Sequence, residues 1–289
     1  MSSIYPSDFA FQPRFVQIFG HQIAYLDVGS GERTLLMIHG NPVAGYVYAR
    51  LMTLLSPHFR CVVPDLLGFG MSDKPAEPAA YSLPQHIAIM REFVRLLDLQ
   101  GVVLVVHDWG GPIGLATAVT EPHRYTHLII LNTMTEAPMR IMPIYKIPFH
   151  FFLRTRRLFD YLVKQQNLFQ KMGIGIMDTA DQQVYFRVNH SPDTRMGIAS
   201  FPRMIPYKKT HPNTPLLREV LDSVIRWNIP ALVMFSDHDS VFSADQGERF
   251  AQKLVNGTFQ LISGPKHFLQ YERPSEIAAK MITFLGEIN

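Results

Sequence analysis

The sequence predicts an α/β protein with a mostly parallel central sheet and helices on both of its faces. Short apolar runs of strand length alternate with amphipathic segments along most of the 289 residues. Several runs are apolar at nearly every position, as strands covered on both faces should be. One long stretch, between roughly 132 and 211, interrupts this alternation.

The first two predicted strands, Phe15–Phe19 and Gln22–Val28, form a hairpin. Its turn is predicted at Gly20 and His21. The later strands are predicted at Thr34–Ile38, Arg60–Pro64, Val102–Val106, His127–Leu131, Ala231–Phe235 and Thr258–Ile262. The helices between them are predicted at Tyr46–Leu55, Leu83–Leu97, Gly111–Glu121, Ala244–Leu254 and Pro274–Leu285.

The stretch that interrupts the alternation is aromatic, rich in Met and helical in pattern, and it follows the sixth predicted strand. Open α/β sheets bind ligands outside the carboxyl ends of their strands. An insertion that leaves from such an end is therefore expected to cover the site as a cap. This predicts a core domain of residues 1–132 and 211–289 and a helical cap domain of residues 133–210.

Composition and charge narrow the class of protein. With 47% hydrophobic residues the chain can bury a large core, yet no run approaches the roughly 20 apolar residues of a membrane span. The N-terminus lacks a basic start followed by an apolar stretch, so no secretory signal is predicted. The lone Cys61 cannot form an internal disulfide, and a cytoplasmic location is expected.

The net charge is +3, and we interpret one basic cluster as a solvated helix face: Arg154, Arg156, Arg157 and Lys164.

The candidate nucleophile is Asp108, in the segment Val105–Gly111 (VVHDWGG), which follows an apolar strand and opens a helix. An α/β-hydrolase places its nucleophile on such a sharp strand-to-helix turn, and Gly110 and Gly111 provide the small residues that the turn needs. Val106 stands where the usual motif has a small residue. A carboxylate nucleophile suits displacement at a saturated carbon or an epoxide. The alternative is that Asp108 only caps the helix.

The candidate base and acid are His267 and Asp239, each of which follows a late strand. The order Asp108, Asp239, His267 matches the nucleophile–acid–base order of α/β-hydrolases. In these roles His267 activates water, while Asp239 fixes the tautomer of the imidazole and stabilises the imidazolium. Asp237 competes with Asp239, which is better placed in the turn beyond the strand.

The segment Met37–Pro42 (MIHGNP) ends another strand, at the loop that supplies an oxyanion-hole N–H in this fold. The backbone N–H groups of Asn41 and Trp109 are the expected pair. They would bind the oxyanion that develops as an ester on Asp108 is hydrolysed. An ordinary Gly-Asn-Pro turn would also explain the segment.

In combination, these segments resemble the haloalkane dehalogenases of the α/β-hydrolase superfamily. The resemblance runs from about Phe15 to the C-terminus and rests on His39–Pro42 (HGNP), Asp65–Pro75 (DLLGFGMSDKP), Val106–Gly110 (VHDWG), Phe201–Pro206 (FPRMIP) and His267–Gln270 (HFLQ). It implies hydrolysis of carbon–halogen bonds to a primary alcohol, halide and a proton, through a covalent ester on Asp108. Water would be the co-substrate, with no cofactor and no metal.

The resemblance also implies a halide site made of the indole N–H of Trp109 and the side-chain amide of Asn41. Neutral N–H donors in an apolar pocket would stabilise an anion that forms only as the bond breaks. One subfamily carries its acid, a Glu, after the sixth strand, where this chain has Asn132. The pattern therefore resembles the subfamily with an Asp acid and an Asn–Trp halide pair. Glu136, slightly further on, is a minor alternative acid.

The alternative function is that of an epoxide hydrolase, which shares the HDWGG elbow and needs two cap tyrosines as proton donors. The candidates are Tyr145, Tyr161, Tyr185 and Tyr207. Asn41 argues against this reading, because epoxide hydrolases usually carry an aromatic residue in its place. A ligand-binding member of the fold without activity would lack part of the triad, which is complete here.

The expected partner is a small halogenated hydrocarbon, and neither nucleic acid nor a membrane is expected to bind. Aromatic side chains are expected to line an apolar pocket: Phe149, Phe151, Phe152, Phe169 and Phe242. The mild charge permits self-association, to which the resembled subfamily is prone, so a homo-oligomer remains open.

Overall fold

The structure of the protein, a computed structural model, describes residues 4, 5, 9, 11–139 and 155–286. Within them eight strands form one sheet in the order β1-β2-β4-β3-β5-β6-β7-β8. The strands are β1 (Arg14–Ile18), β2 (His21–Val28), β3 (Thr34–Ile38), β4 (Arg60–Pro64), β5 (Val102–Asp108), β6 (Tyr125–Thr133), β7 (Pro230–Ser236) and β8 (Asn256–Ile262). Some predictions fall outside the described residues: those for Tyr145, Phe149, Phe151, Phe152 and Arg154.

The sheet is antiparallel at one edge and parallel elsewhere. β2 pairs antiparallel with β1 and β4, and every pair from β4 to β8 is parallel. The predicted turn of the first hairpin was wrong by one residue: it lies at Phe19 and Gly20, and His21 already belongs to β2. Both turn residues have positive φ, 50° and 79°, as the tight turns that match strand twist require.

Eleven helices are found in the described residues: α1 (Ala49–Leu55), α2 (Leu83–Leu96), α3 (Gly110–Thr120), α4 (Arg156–Asp160), α5 (Leu168–Gly173), α6 (Thr179–Val188), α7 (Met196–Ser200), α8 (Asn213–Arg226), α9 (Ala244–Ala251), α10 (Leu269–Glu272) and α11 (Pro274–Gly286). The crossover from β3 to β4 runs in the opposite direction across the sheet to the crossover from β4 to β5. Since such crossovers are right-handed, α1 and α2 cover opposite faces. Accordingly α3 packs against α2 and α8, and α1 packs against α11. The predicted α/β-hydrolase fold is confirmed.

Two helices differ from expectation. The predicted helix Tyr46–Leu55 is split into a 3-10 turn at Gly45–Tyr48 and the α-helix α1. Helix α8 was not predicted, although its buried apolar residues recur at helical spacing: Leu217, Val220, Leu221 and Val224. The aromatic, Met-rich character of the residues before it obscured this pattern.

The segment that interrupts the alternation of strands and helices is itself helical in the part that the structure describes. Residues 155–204 form α4 to α7 with short 3-10 and π turns and contain no strand among the described residues. β6 extends to Thr133, one residue past the predicted domain boundary. The division into a core domain and a cap domain stays a prediction. No described helix is long and apolar enough to span a membrane.

Candidate active site

Asp108 is the last residue of β5, and its backbone has φ +50°. Such a conformation is uncommon for a residue other than Gly and is held here by its neighbours. Close packing leaves no room for larger residues around it. A Cβ on Gly40 would lie 2.0 Å from Asp108 Oδ1, and one on Gly110 would lie 2.0 Å from the Ile38 carbonyl oxygen. The tight strand-to-helix turn therefore depends on Gly110, and the close approach of the loop after β3 to Asp108 depends on Gly40.

Val106 occupies the position where the usual motif has a small residue, and α3 explains how it fits. The facing helix residue is Gly114, at which a Cβ would lie only 2.7 Å from Val106 Cγ1. The small residue that lets the helix approach the strand thus stands on the helix instead of on the strand.

The Asp108 carboxylate faces two backbone donors. The Asn41 N–H donates to Oδ1 at 2.7 Å, and the Trp109 N–H also bonds to this carboxylate. Burial raises the pKa of Asp108 above its ordinary value, while the nearby His267 charge and the two N–H groups act to lower it. The donors thus offset part of the cost of holding a carboxylate in a buried site. They are the pair predicted from the sequence, and their role as an oxyanion hole stays a prediction.

The ring of His267 lies between two carboxylates. Its Nδ1 donates to Asp239 Oδ2 at 2.9 Å, and its Nε2 lies 3.7 Å from Asp108 Oδ2. Asp239 Oδ1 accepts the Val241 N–H at 2.7 Å, which fixes the orientation of the carboxylate. Asp237, the competing acid, instead contacts the His238 ring and the Gly264 N–H.

The charges around His267 decide its protonation. Burial alone would lower the pKa of this imidazole, but the charge and hydrogen bond of Asp239, followed by the charge of Asp108, outweigh it. The result is a pKa raised to about 9. Near neutral pH the resting site therefore holds an imidazolium between two carboxylates.

The two predicted halide ligands both adjoin Asp108 through their backbone N–H groups, and both are buried, Asn41 at 7% and Trp109 at 5% exposure. The Asn41 Nδ2 reaches the Ile198 carbonyl at 3.4 Å, a long and weak hydrogen bond. The Trp109 indole N–H makes no hydrogen bond to the described residues. Phe201 packs edge-on against this indole, with ring centroids 5.3 Å apart, and holds it in place.

The alternative acid position contacts a different part of His267. Asn132 donates to the backbone carbonyl oxygens of Lys266 and His267 and not to the imidazole ring. Glu136 accepts a hydrogen bond from Gln246 Nε2 at 3.0 Å. Among the described residues, the carboxylate that is hydrogen-bonded to the His267 ring is that of Asp239.

The predicted aromatic lining is only partly described. Phe242 stacks on the His267 ring, with centroids 5.9 Å apart. Phe169 is 37% exposed, so its side chain is at the surface rather than buried in an apolar pocket. Sequence reasoning missed Phe201 and Ile198 as residues that touch the halide pair. The FPRMIP motif was the available signal for Phe201.

No group of three or more His, Cys, Asp or Glu side chains in the described part of the chain has the arrangement of a metal site. The absence of a cofactor stays a prediction.

The chain belongs to the alpha/beta hydrolase fold family, whose model matches residues 33–274. The predicted resemblance to haloalkane dehalogenases is confirmed. A haloalkane dehalogenase from Psychrobacter cryohalolentis is 28% identical over 294 residues, which cover 97% of this chain and 94% of that protein.

Two further relatives bear on the reaction and on the fold. A protein from Shewanella oneidensis named cis-3-alkyl-4-alkyloxetan-2-one decarboxylase is 26% identical over 287 residues, covering 96% of this chain and 89% of the relative. The crystal structure of a haloalkane dehalogenase from Bradyrhizobium elkani has a TM-score of 0.89 and 20% identity, with 96% of this chain and 98% of that chain covered. At that identity, the structural likeness shows the fold alone.

Proposed function

We propose that the protein is a haloalkane dehalogenase in which Asp108, His267 and Asp239 perform the chemistry. The observation that carries the proposal is the buried Asp108 carboxylate, which lies between backbone donors on one side and an ion-paired imidazole on the other. The curated relatives support the same class of enzyme, a hydrolase acting on carbon–halide bonds.

In the first step an Asp108 oxygen attacks the carbon that bears the halogen. The carbon–halogen bond breaks, and the halide leaves with its electron pair. Oδ2 is the oxygen suited to attack, because Oδ1 is held by the Asn41 N–H. The Nδ2 of Asn41 and the indole N–H of Trp109 would receive the halide as charge develops on it. The product is a neutral alkyl ester on Asp108.

In the second step the His267 imidazolium, whose pKa has fallen on formation of the ester, first releases its proton to solvent. The neutral imidazole then takes a proton from water, and the resulting hydroxide attacks the ester carbonyl carbon. The oxyanion forms between the backbone N–H groups of Asn41 and Trp109. Collapse of this intermediate releases the alcohol, which takes the second proton of the attacking water, and restores the Asp108 carboxylate beside the His267 imidazolium. One halide and one proton are released per turnover.

The charges explain how an imidazole with a raised pKa can act as a base. Asp108 is one of the charges, after that of Asp239, that raise the pKa of His267 to about 9. Esterification removes that charge, so the pKa of His267 falls once the alkyl ester has formed. A larger fraction of the imidazole is thus neutral, and able to accept a proton, at the step that needs a base.

An epoxide hydrolase would need a pair of tyrosines at the site, and the described candidate tyrosines do not form one there. Tyr161 is 52% exposed and Tyr207 packs against His211. Tyr185 is buried against Tyr46. None of them contacts Asp108 in the described structure.

A second candidate is decarboxylation of a β-lactone, because the Shewanella relative is nearly as similar as the dehalogenases. A carboxylate nucleophile can open a four-membered lactone at its alkyl carbon, releasing a carboxylate in place of a halide. The same neutral N–H donors would then receive the leaving group. Loss of CO2 from the opened ring would give an alkene and restore Asp108.

The first test is halide release from 1,2-dibromoethane and 1-iodobutane, with an Asp108→Ala variant as control. Styrene oxide and a cis-3,4-dialkyloxetan-2-one are assayed in parallel for diol and for alkene with CO2. We expect halide only with intact Asp108. Diol or alkene without halide would contradict the dehalogenase proposal and support the corresponding alternative.

A further inference from the structure

The pairing of β5 and β6 shifts register at two places, and the shift at His107 and Asp108 involves both the nucleophile and the base. β5 and β6 are in register at His107 and Leu131, but the next pair is Asp108 with Thr133. Asn132 is therefore an extra residue in β6, a β-bulge, and bulges next to active sites redirect side chains. Two consecutive side chains of β6 can thereby both serve the site.

Thr133 holds the nucleophile from one side of this bulge. Its hydroxyl donates to the Asp108 backbone carbonyl at 2.5 Å. A Cβ on Gly111 would lie only 2.0 Å from this hydroxyl oxygen, so the start of α3 is packed against Thr133 as well. The backbone of Asp108 is thus fixed to β6.

Asn132 holds the base from the other side of the bulge. It is fully buried, and its Nδ2 lies 2.7 Å from the Ser236 hydroxyl oxygen, 3.1 Å from the His267 carbonyl oxygen and 3.2 Å from the Lys266 carbonyl oxygen. The two N–H bonds of the amide are shared among these three acceptors. Its Oδ1 accepts the Ser236 N–H at 2.9 Å, which anchors the side chain to β7. The Ser236 hydroxyl donates to the Lys266 carbonyl at 2.5 Å.

A third donor completes this support. His107 Nε2 lies 2.9 Å from the His267 carbonyl oxygen and must donate to it. The segment that carries the base therefore crosses the carboxyl ends of β5, β6 and β7, and each strand contributes one donor: His107, Asn132 and Ser236.

We infer that the β-bulge at Asn132 sets the position of the His267 imidazole relative to the Asp108 carboxylate, and that Asn132 is a positioning residue for the base. This inference rests on the proposed function for its kinetic consequence only. A misplacement of about 1 Å costs on the order of a hundredfold in rate. Loss of Asn132 should therefore slow the step that uses His267, which is ester hydrolysis, and leave alkylation of Asp108 unchanged.

The test compares Asn132→Leu with Asn256→Leu, the same change at an exposed residue that begins the edge strand β8, whereas Asn132 lies near the carboxyl end of β6. With 1,2-dibromoethane as substrate, the initial burst of halide and the steady-state rate are measured together with the intact protein mass. Asn132→Leu should keep the burst, turn over about a hundredfold more slowly and accumulate the alkyl ester. A parallel fall of burst and turnover, or no change in either, would overturn the inference.

A second readout does not depend on turnover. NMR titration of the His267 imidazole should show its pKa falling from about 9 towards the ordinary value in Asn132→Leu, because the displaced ring loses its carboxylate neighbours. An unchanged pKa in Asn132→Leu would overturn the positioning role even if the wild type acts on none of the substrates. If Asn132→Leu does not fold, Ser236→Ala removes one donor to the same segment. It should show the same slower turnover, ester accumulation and lower pKa of His267, each to a smaller extent.

Discussion

The two loops on either side of Asp108 each carry a histidine, His39 fully buried and His267 with 16% of its side chain exposed, and the histidines differ in their partners. In the β3 loop (His39–Pro42), His39 Nδ1 lies 2.8 Å from the Gly40 carbonyl, and its Nε2 accepts the Leu66 N–H. In the β8 loop (Ser263–Phe268), the ring of His267 lies between two carboxylates. Burial lowers the pKa of His39 to about 4, whereas the carboxylates raise the pKa of His267 to about 9.

This difference shows that burial alone does not prepare a histidine for chemistry. A buried imidazole with only backbone partners stays neutral and serves as a structural link. A buried imidazole with two carboxylates is charged at rest and responds when one carboxylate is neutralised. Substitutions in the two loops should therefore affect different quantities: catalysis in the β8 loop and stability in the β3 loop.

The largest effect of these substitutions is expected for Asp239→Asn. It removes the main charge that raises the pKa of His267, and the amide no longer favours the required tautomer. Turnover should fall by about 10² to 10⁴-fold, and NMR titration should show a lower pKa for His267. The matched variant Asp237→Asn changes a carboxylate that does not touch this ring. Equal losses in both variants would contradict the assignment of the acid.

A smaller effect is expected for Asn41→Ala, which removes the proposed halide donor and keeps the backbone N–H. Alkylation should slow by about 10² to 10³-fold, since only the first step releases halide. The rate of ester hydrolysis should change little. Rapid-quench measurement of both steps distinguishes them, and a defect confined to hydrolysis would assign Asn41 to the oxyanion alone.

The smallest effect is expected in the β3 loop, at His39. Replacement by Leu leaves the Leu66 N–H buried without an acceptor, whereas Gln can still accept it. The free energy of unfolding should therefore be about 1 to 3 kcal/mol lower for His39→Leu than for His39→Gln. Chemical denaturation of the two variants measures this difference, and equal stabilities would show that the hydrogen bond does not matter.

The two histidines also predict opposite trends of stability with pH. The pKa of His39 is lowered to about 4, whereas in the unfolded chain it is near 6.5. The stability that the neutral His39 contributes is therefore complete above pH 6.5 and is lost as the pH falls towards 4. Because the pKa of His267 is raised to about 9, its contribution is complete below 6.5 and is lost as pH rises towards 9. The free energy of unfolding, measured across pH, should fall less steeply below pH 6.5 in His39→Gln than in the wild type. If this free energy falls as steeply in His39→Gln as in the wild type, the lowered pKa of His39 is contradicted.

Much of the site could be predicted because strand ends of a parallel sheet meet at one edge. The positions of Asp108, Asp239 and His267 after apolar runs were enough to bring them together. The register of β6 was not predictable, because an extra residue such as Asn132 leaves no trace in apolar alternation. Its contacts with Lys266 and His267 also join residues more than a hundred positions apart. The α-helix α8 was missed for a local reason, since its pattern follows directly on the irregular insertion.

The central claim is that Asp108 forms an ester that His267 removes. The most direct test is intact-mass and peptide mass spectrometry of His267→Gln after incubation with 1,2-dibromoethane. We expect a stoichiometric bromoethyl adduct on Asp108, one equivalent of bromide and no further turnover. Absence of an adduct while the wild type turns over, or an adduct on another residue, would contradict it.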